Sequence, residues 1–328
     1  MSYEIRPLQA GDESSLLECF HAAFPGTERT LDEWRWAFEK NPAGQRVFVA
    51  LHGGRVVAQY AALPRKTWID GGEHVFAEIV DSMVHPEHRA GLAQPGVFVE
   101  TARAFFDAYG GRERDLVHYG WPVPRALRIG ARFLRYAIVR TQCVLVKELG
   151  AGAAHAPQIG VAPIERFDYH SRWLWDRCAA EFGASTIRDA EYLNWRYCDH
   201  PRHEYRMLGA RDAQGVLRGL VVWRRADWGR PEPVPDLGLV ADWLVPPAED
   251  EVGEALLAAL EHAARTERVH ALVALFPEGS PWFARFQEHG FRVQPSDYAM
   301  VARNFDARFD VHWLAEHWWY QLGDGDLV

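Results

Sequence analysis

Cysteine is scarce, and its placement excludes more than its number does. Cys19, Cys143, Cys178 and Cys198 are scattered, with no C-x-x-C pair. That argues against a zinc ribbon or a disulfide framework and suits a reducing compartment, so the four read as core thiols. Long apolar runs are missing as well. None approaches the length of a membrane span, and the opening MSYEIRP lacks the basic and apolar regions of a signal peptide, so a soluble, cytoplasmic protein without a membrane partner is expected. Positive charge is in deficit, with 36 Lys and Arg against 45 Asp and Glu and a net charge of -9. Affinity for a polyanion rests on cationic contacts to phosphates, so nucleic acid is not an expected partner. Two familiar phosphate loops are also absent: there is no G-x-x-x-x-G-K-[ST], and no G-x-G-x-x-G followed by a carboxylate on the next strand.

What is present is a globular composition, 48% hydrophobic and 25% charged, in 328 residues, enough for two domains that each bury a core. Tryptophan is abundant at 14 residues; indoles can stack on sugars or bases, but more often they fill a core. The stretch around which the chain is organised runs from Asp81 to Phe106. An apolar strand ending at Met83-Val84 passes into a loop carrying Arg89, Ala90, Gly91, Leu92, Ala93 and Gly96. It continues as an amphipathic helix from Val97 through Thr101, Ala104 and Phe105. Strand, glycine-bearing basic loop and helix in that order make an anion site, with backbone N–H groups turned inward and the positive end of the helix dipole behind them. An ordinary βα connection is the plainer alternative.

Val84-His85-Pro86-Glu87-His88-Arg89 followed by Gly91-Leu92-Ala93 resembles motif A of the GNAT acetyltransferases, with its V-x-P-x-x-R strand end and its G-x-[GA] loop. His88 stands where Gln or Arg is usual, and Gly96 gives a second register for the last loop glycine. The resemblance extends over residues 1 to 146, whose periodicities read β, α, α, β, β, β, loop, α, β, α, β. Residues 148–165 are rich in Gly, Ala and Pro and read as a linker. Beyond them the pattern recurs. Trp34-Arg-Trp36 returns as Trp195-Arg-Tyr197, Asn41-Pro42 as His200-Pro201, Asp81 to Pro86 as Asp242 to Pro247, and the Gly130 region as His289-Gly290-Phe291. The expected fold is therefore α/β (α+β): two tandem GNAT-like domains, residues 1–147 and 166–328, each a mixed, largely antiparallel twisted sheet flanked by helices. In the second copy Glu249, Asp250 and Glu251 replace the basic loop and would repel a pyrophosphate, which makes 1–147 the cofactor half.

The resemblance implies direct acyl transfer from acetyl-CoA to an amine, here of an unidentified small-molecule acceptor. It places the diphosphate on Arg89, Ala90, Gly91, Leu92, Ala93, Gly96 and Val97, and the pantetheine on the backbone of Met83 and Val84. Asp81 and Glu78 are the candidate bases. Asp81 also has a structural reading, because Asp242 repeats it in the acidic copy, with the Trp-Arg motif as a suggested partner. No tyrosine stands at the family's usual acid position, where Ala126 or Leu127 falls, which leaves Tyr119, Tyr136 or solvent. His85 and His88 form H-x-x-H without a third ligand nearby, so no metal is expected. The tail carrying Trp313, Trp318, Trp319, Tyr320, Asp324 and Asp326 reads either as an anchored segment or as a frayed end. Two alternatives remain open: a two-domain transferase that uses aminoacyl-tRNA, and a non-catalytic CoA-binding or scaffold protein.

Overall fold

In the computed structural model, residues 2–90, 95–150, 160–229 and 232–328 are described. The elements in chain order are β1 (Glu4–Pro7), α1 (Glu13–Ala23), α2 (Leu31–Trp34), β2 (Arg46–His52), β3 (Arg55–Ile69), β4 (Gly72–Val84), α3 (Val97–Tyr109), β5 (Asp115–Gly120), α4 (Pro124–Phe133) and β6 (Ala137–Glu148). They are followed by β7 (Val161–Pro163), α5 (Tyr169–Ala179), β8 (Ala184–Thr186), α6 (Ala190–Leu193), β9 (Arg206–Arg211), β10 (Leu217–Trp228), β11 (Val234–Leu244), α7 (Asp250–Thr266), β12 (Ala271–Ala274), α8 (Pro281–Glu288), β13 (Arg292–Asn304) and α9 (Val311–His317). The end of the segment expected to be a linker is ordered strand: Val161 to Pro163 pair antiparallel with Leu208 to Ala210.

Two compact units result. One contains residues 1–67, 73–140 and 299–312, the other 68–72, 141–298 and 313–328. In the first, the strand order is β1-β2-β3-β4-β5, and Val301–Asn304 of β13 then pairs antiparallel with β5. In the second, β6 residues 145–148 pair with β12, and the order continues β11-β10-β9-β7. The strand that follows α4 in the chain thus serves the second unit, while the last strand serves the first. Periodicity identifies strands, not their neighbours, so this exchange is invisible in the sequence.

Both cores follow from the amphipathic helix after the long central hairpin. Val99, Ala102, Phe105 and Phe106 of α3 pack with Leu134 on Phe48, Tyr60, Ala62 and Ala77. In the second unit Leu256, Leu257, Leu260 and Ala264 of α7, with Trp282 and Phe286 of α8, cover Val221, Trp223, Val240, Trp243 and Leu272. Burying each large apolar side chain contributes about 1.5–3 kcal/mol, and these layers hold the strands from which the site is built.

The repeat is repeated in an unusual detail. α2 and α6 each run into a single π-helical turn, Arg35–Glu39 and Asn194–Cys198. Superposing these turns pairs Trp36 with Trp195, so the Trp-Arg motifs read from sequence are two residues out of register. The side-chain caps on Thr30 and Asp189 open the two helices at matching positions, and each is preceded by an arginine, Arg29 and Arg188.

Candidate active site

β4 and β5 pair in parallel from Val75↔Asp115 to Glu78↔Tyr119, after which β5 ends at Gly120 while β4 runs on to Val84. Within that run Asp81 adopts φ 49°, a left-handed bulge in the strand. Its carboxylate is ion-paired with Arg29, and its carbonyl accepts from Gln59 Nε2 at 2.9 Å. The partner expected from the Trp-Arg motif is therefore replaced by the arginine just before the α2 cap. The second unit makes the same pair in buried form: Arg188 Nε meets Asp242 Oδ1 at 3.2 Å and its Nη2 meets Asp324 Oδ2 at 2.6 Å, all three side chains fully buried. Burial pushes the Asp242 carboxyl up, against the pull of Arg188.

The other acid–base candidates are committed elsewhere. Glu78 is fully buried and bonded by Arg65 Nη2 at 2.7 Å, while Arg65 Nη1 donates to the Tyr119 hydroxyl at 2.5 Å. Tyr136 is hydrogen-bonded to Tyr60, and burial pushes its phenol up to about 12. Of the carboxylates, Asp81 alone keeps some exposure, 14% of its side chain. His118 and Asp115 form a further buried pair with Arg46, which fastens β2 to β5.

At the strand end, Met83 and Val84 turn their side chains into the core and offer backbone only. His85 N–H bonds the Val57 carbonyl at 2.8 Å, and a 3₁₀ turn over Pro86–His88 follows. Arg89 does not stand free: its Nε bonds the Val84 carbonyl at 3.1 Å and its Nη2 the Ala23 carbonyl at 3.0 Å, tying the loop to the end of α1. Gly91, Leu92 and Ala93 lie outside the described residues. The two ends of the loop touch, because a Cβ on Gly96 would sit 2.6 Å from the Cβ of Ala90, and this close approach is what requires glycine there. From Gly96 the helix α3 starts with no side-chain cap, and Val97 packs inward against Val57 and Val84. His52 joins the H-x-x-H pair, its ring 5.2 Å from that of His88, yet no group of three or more His, Cys, Asp or Glu side chains among the described residues could hold a metal ion.

In the second unit the matching place is filled. β11 pairs with β12 from Leu237↔Ala271 to Leu239↔Val273 and then runs on to Leu244. Beside that run lies Gln321. Its Oε1 accepts from Trp243 N–H at 2.7 Å, and its Nε2 donates to the Trp243 carbonyl at 2.9 Å and to Asp242 Oδ1 at 3.0 Å. Trp318 to Asp324 are buried, so the tail is anchored rather than frayed, and Asp324 faces Arg188 rather than a pocket.

Residues 4–125 match the family described as the acetyltransferase (GNAT) domain. Over that stretch the chain is similar to a GNAT acetyltransferase domain. Solved structures share the fold along nearly the whole chain. A conserved protein of unknown function from Enterococcus faecalis V583 is 14% identical with a TM-score of 0.67, over 96% of this chain and 74% of that one. A GCN5-related N-acetyltransferase from Anabaena variabilis is 11% identical with a TM-score of 0.66, over 93% and 73%. The N-myristoyltransferase of Saccharomyces cerevisiae with bound myristoyl-CoA is 12% identical with a TM-score of 0.59, over 93% and 79%. No curated protein matches by sequence. Among the described residues no helix is long and apolar enough to cross a membrane.

Proposed function

We propose that the chain transfers an acetyl group from acetyl-CoA to an amine of a small-molecule acceptor, and that the first unit alone binds the donor. The observation that carries this reading is the strand end of the GNAT domain. β4 outruns β5 past a left-handed bulge and leads, through a loop closed by Ala90 on Gly96, to an uncapped helix. The backbone of Met83 and Val84 suits the amides of a pantetheine arm, and the N–H groups at Gly96 and Val97 suit a diphosphate. The thioester of the donor supplies the activated acyl group; the chain's part is to orient it and to keep the strand edge in place.

Asp81 is assigned as a positioning residue that fixes the bulge through Arg29, since the second unit builds the same pair where no donor is expected. Glu78 and Tyr119 are assigned with Arg65 to the sheet beneath. In the second unit the carboxamide of Gln321 takes up the N–H and carbonyl that a pantetheine amide would use, and Glu249, Asp250 and Glu251 follow where the first unit has its glycine loop.

Isothermal titration of the intact protein with acetyl-CoA tests this reading. One site per chain is expected, lost in Gly96→Asp, where the new side chain collides with Ala90 and brings a carboxylate to the helix start. Two sites per chain, or none, would overturn the assignment. Competition between acetyl-CoA and longer acyl-CoAs sets the acyl preference, and a thiol-release screen over amines identifies the acceptor.

A further inference from the structure

Between Leu116 and Lys147 the chain has five arginines and no carboxylate, although its net charge is -9. Three of these arginines, Arg125, Arg128 and Arg132, lie on α4 at i, i+3 and i+7, within about 60° of one another around the helix axis. All three are exposed, and among the described residues none has a carboxylate partner. Like charges one turn apart repel, so the row does not serve the helix itself. Through Ile129 and Phe133, and Leu134 just beyond its end, α4 shares the hydrophobic cluster of α3, which puts both helices on one face of the sheet.

The second unit shows what an arginine at this place does. Arg285 of α8 bonds Asp250 Oδ1 at 2.7 Å, and Asp250 is the first residue of α7, the counterpart of α3. Two registers relate α4 to α8. Matching the first-turn prolines, Pro124 with Pro281, sets Arg128 against Arg285; matching Gly130 with Gly290 sets Arg125 against it. In either register an arginine of the exposed row stands where Arg285 stands. The anion it meets in the second unit is the chain's own carboxylate. In the first unit α3 begins at Gly96-Val97, and its first acidic residue is Glu100.

We propose that Arg125 and Arg128 hold the phosphate-bearing end of the acyl donor, a proposal that rests on the acyl-CoA reading of the first unit. The loop cation that sequence favours for this duty, Arg89, is engaged by the Val84 and Ala23 carbonyls, so the charge that neutralises the phosphates comes from α4. The planar guanidinium suits a phosphate bidentately.

Titration of the full chain with CoA and with dephospho-CoA, at two salt concentrations, tests the assignment in wild type, Arg125→Ala/Arg128→Ala, Arg125→Lys/Arg128→Lys and Arg285→Ala. The double alanine variant is expected to lose CoA affinity about 10- to 100-fold with a flatter salt dependence, at unchanged melting temperature. The lysine pair recovers part of the loss, and Arg285→Ala binds as wild type does. If the gap between the two ligands closes in the alanine variant, the row holds the 3′-phosphate; if both affinities fall together, it holds the diphosphate. Wild-type binding with the double alanine variant within twofold of it would overturn this proposal and leave the acyltransferase reading intact, whereas wild type that fails to bind CoA would overturn that reading itself.

Discussion

Asp81 is a single residue asked to do two things that its position can separate. It sits at φ 49°, where asparagine is tolerated almost as well, so Asp81→Asn removes the charge without straining the backbone. The ion pair with Arg29 is partly exposed and contributes on the order of 1 kcal/mol. The expected outcome is a melting temperature lowered by a few degrees and a weaker acetyl-CoA affinity, with kcat at saturating donor within about threefold of wild type. A hundredfold fall in kcat at unchanged affinity and stability would instead make Asp81 the base. Two of the four cysteines are core thiols, as burial pushes the Cys19 thiol up to about 11 and that of Cys178 up to about 12, whereas Cys143 and Cys198 are only half-buried. His88, the departure from the family's loop, is packed against Tyr3 and His52, and its imidazole is held below its usual range, first by burial and then by its histidine neighbours. Its neighbours explain its presence better than any contact with a phosphate.

Elements were legible where the signal is local. The β2–β3 hairpin, the two helices before it and α3 follow from alternation, from Gly53-Gly54 and from apolar spacing, all within a dozen residues. The bulge was half legible, as an aspartate repeated at 242, but its partner lies 52 residues upstream and no periodicity links them. The row on α4 stood in plain view at helical spacing, and what it lacked was a reason to expect an anion beside that helix. The tail was least legible. Its tryptophans suggest burial, but the role of Gln321 depends on Trp243 and Asp242, far away in sequence. The buried cluster beneath it carries one arginine for two carboxylates, so Arg188→Leu leaves Asp242 and Asp324 uncompensated. A loss of about 3–5 kcal/mol in urea unfolding is expected, together with faster proteolysis between Trp318 and Asp326. A change under 1 kcal/mol with the tail still protected would mean that Trp318, Trp319 and Tyr320 anchor it alone.

At the scale of the whole molecule, the sequence read as two copies joined by a linker, and the copies are there. The division of labour proposed between them rests on charge and on the tail rather than on fold. What no residue pattern announced is that Val301–Asn304 completes the sheet of the first unit beside β5. This has a consequence in time. A ribosome releases residues 1–147 long before that strand is made, so β5 waits with an unpaired edge, a surface that invites aggregation, until residues 301–304 emerge. The first unit can close only once residues 301–304 have been made. Residues 1–147 produced alone are accordingly expected to be insoluble or unable to bind acetyl-CoA. Soluble fragment that binds with the affinity of the full chain would show that the first unit closes without its borrowed strand.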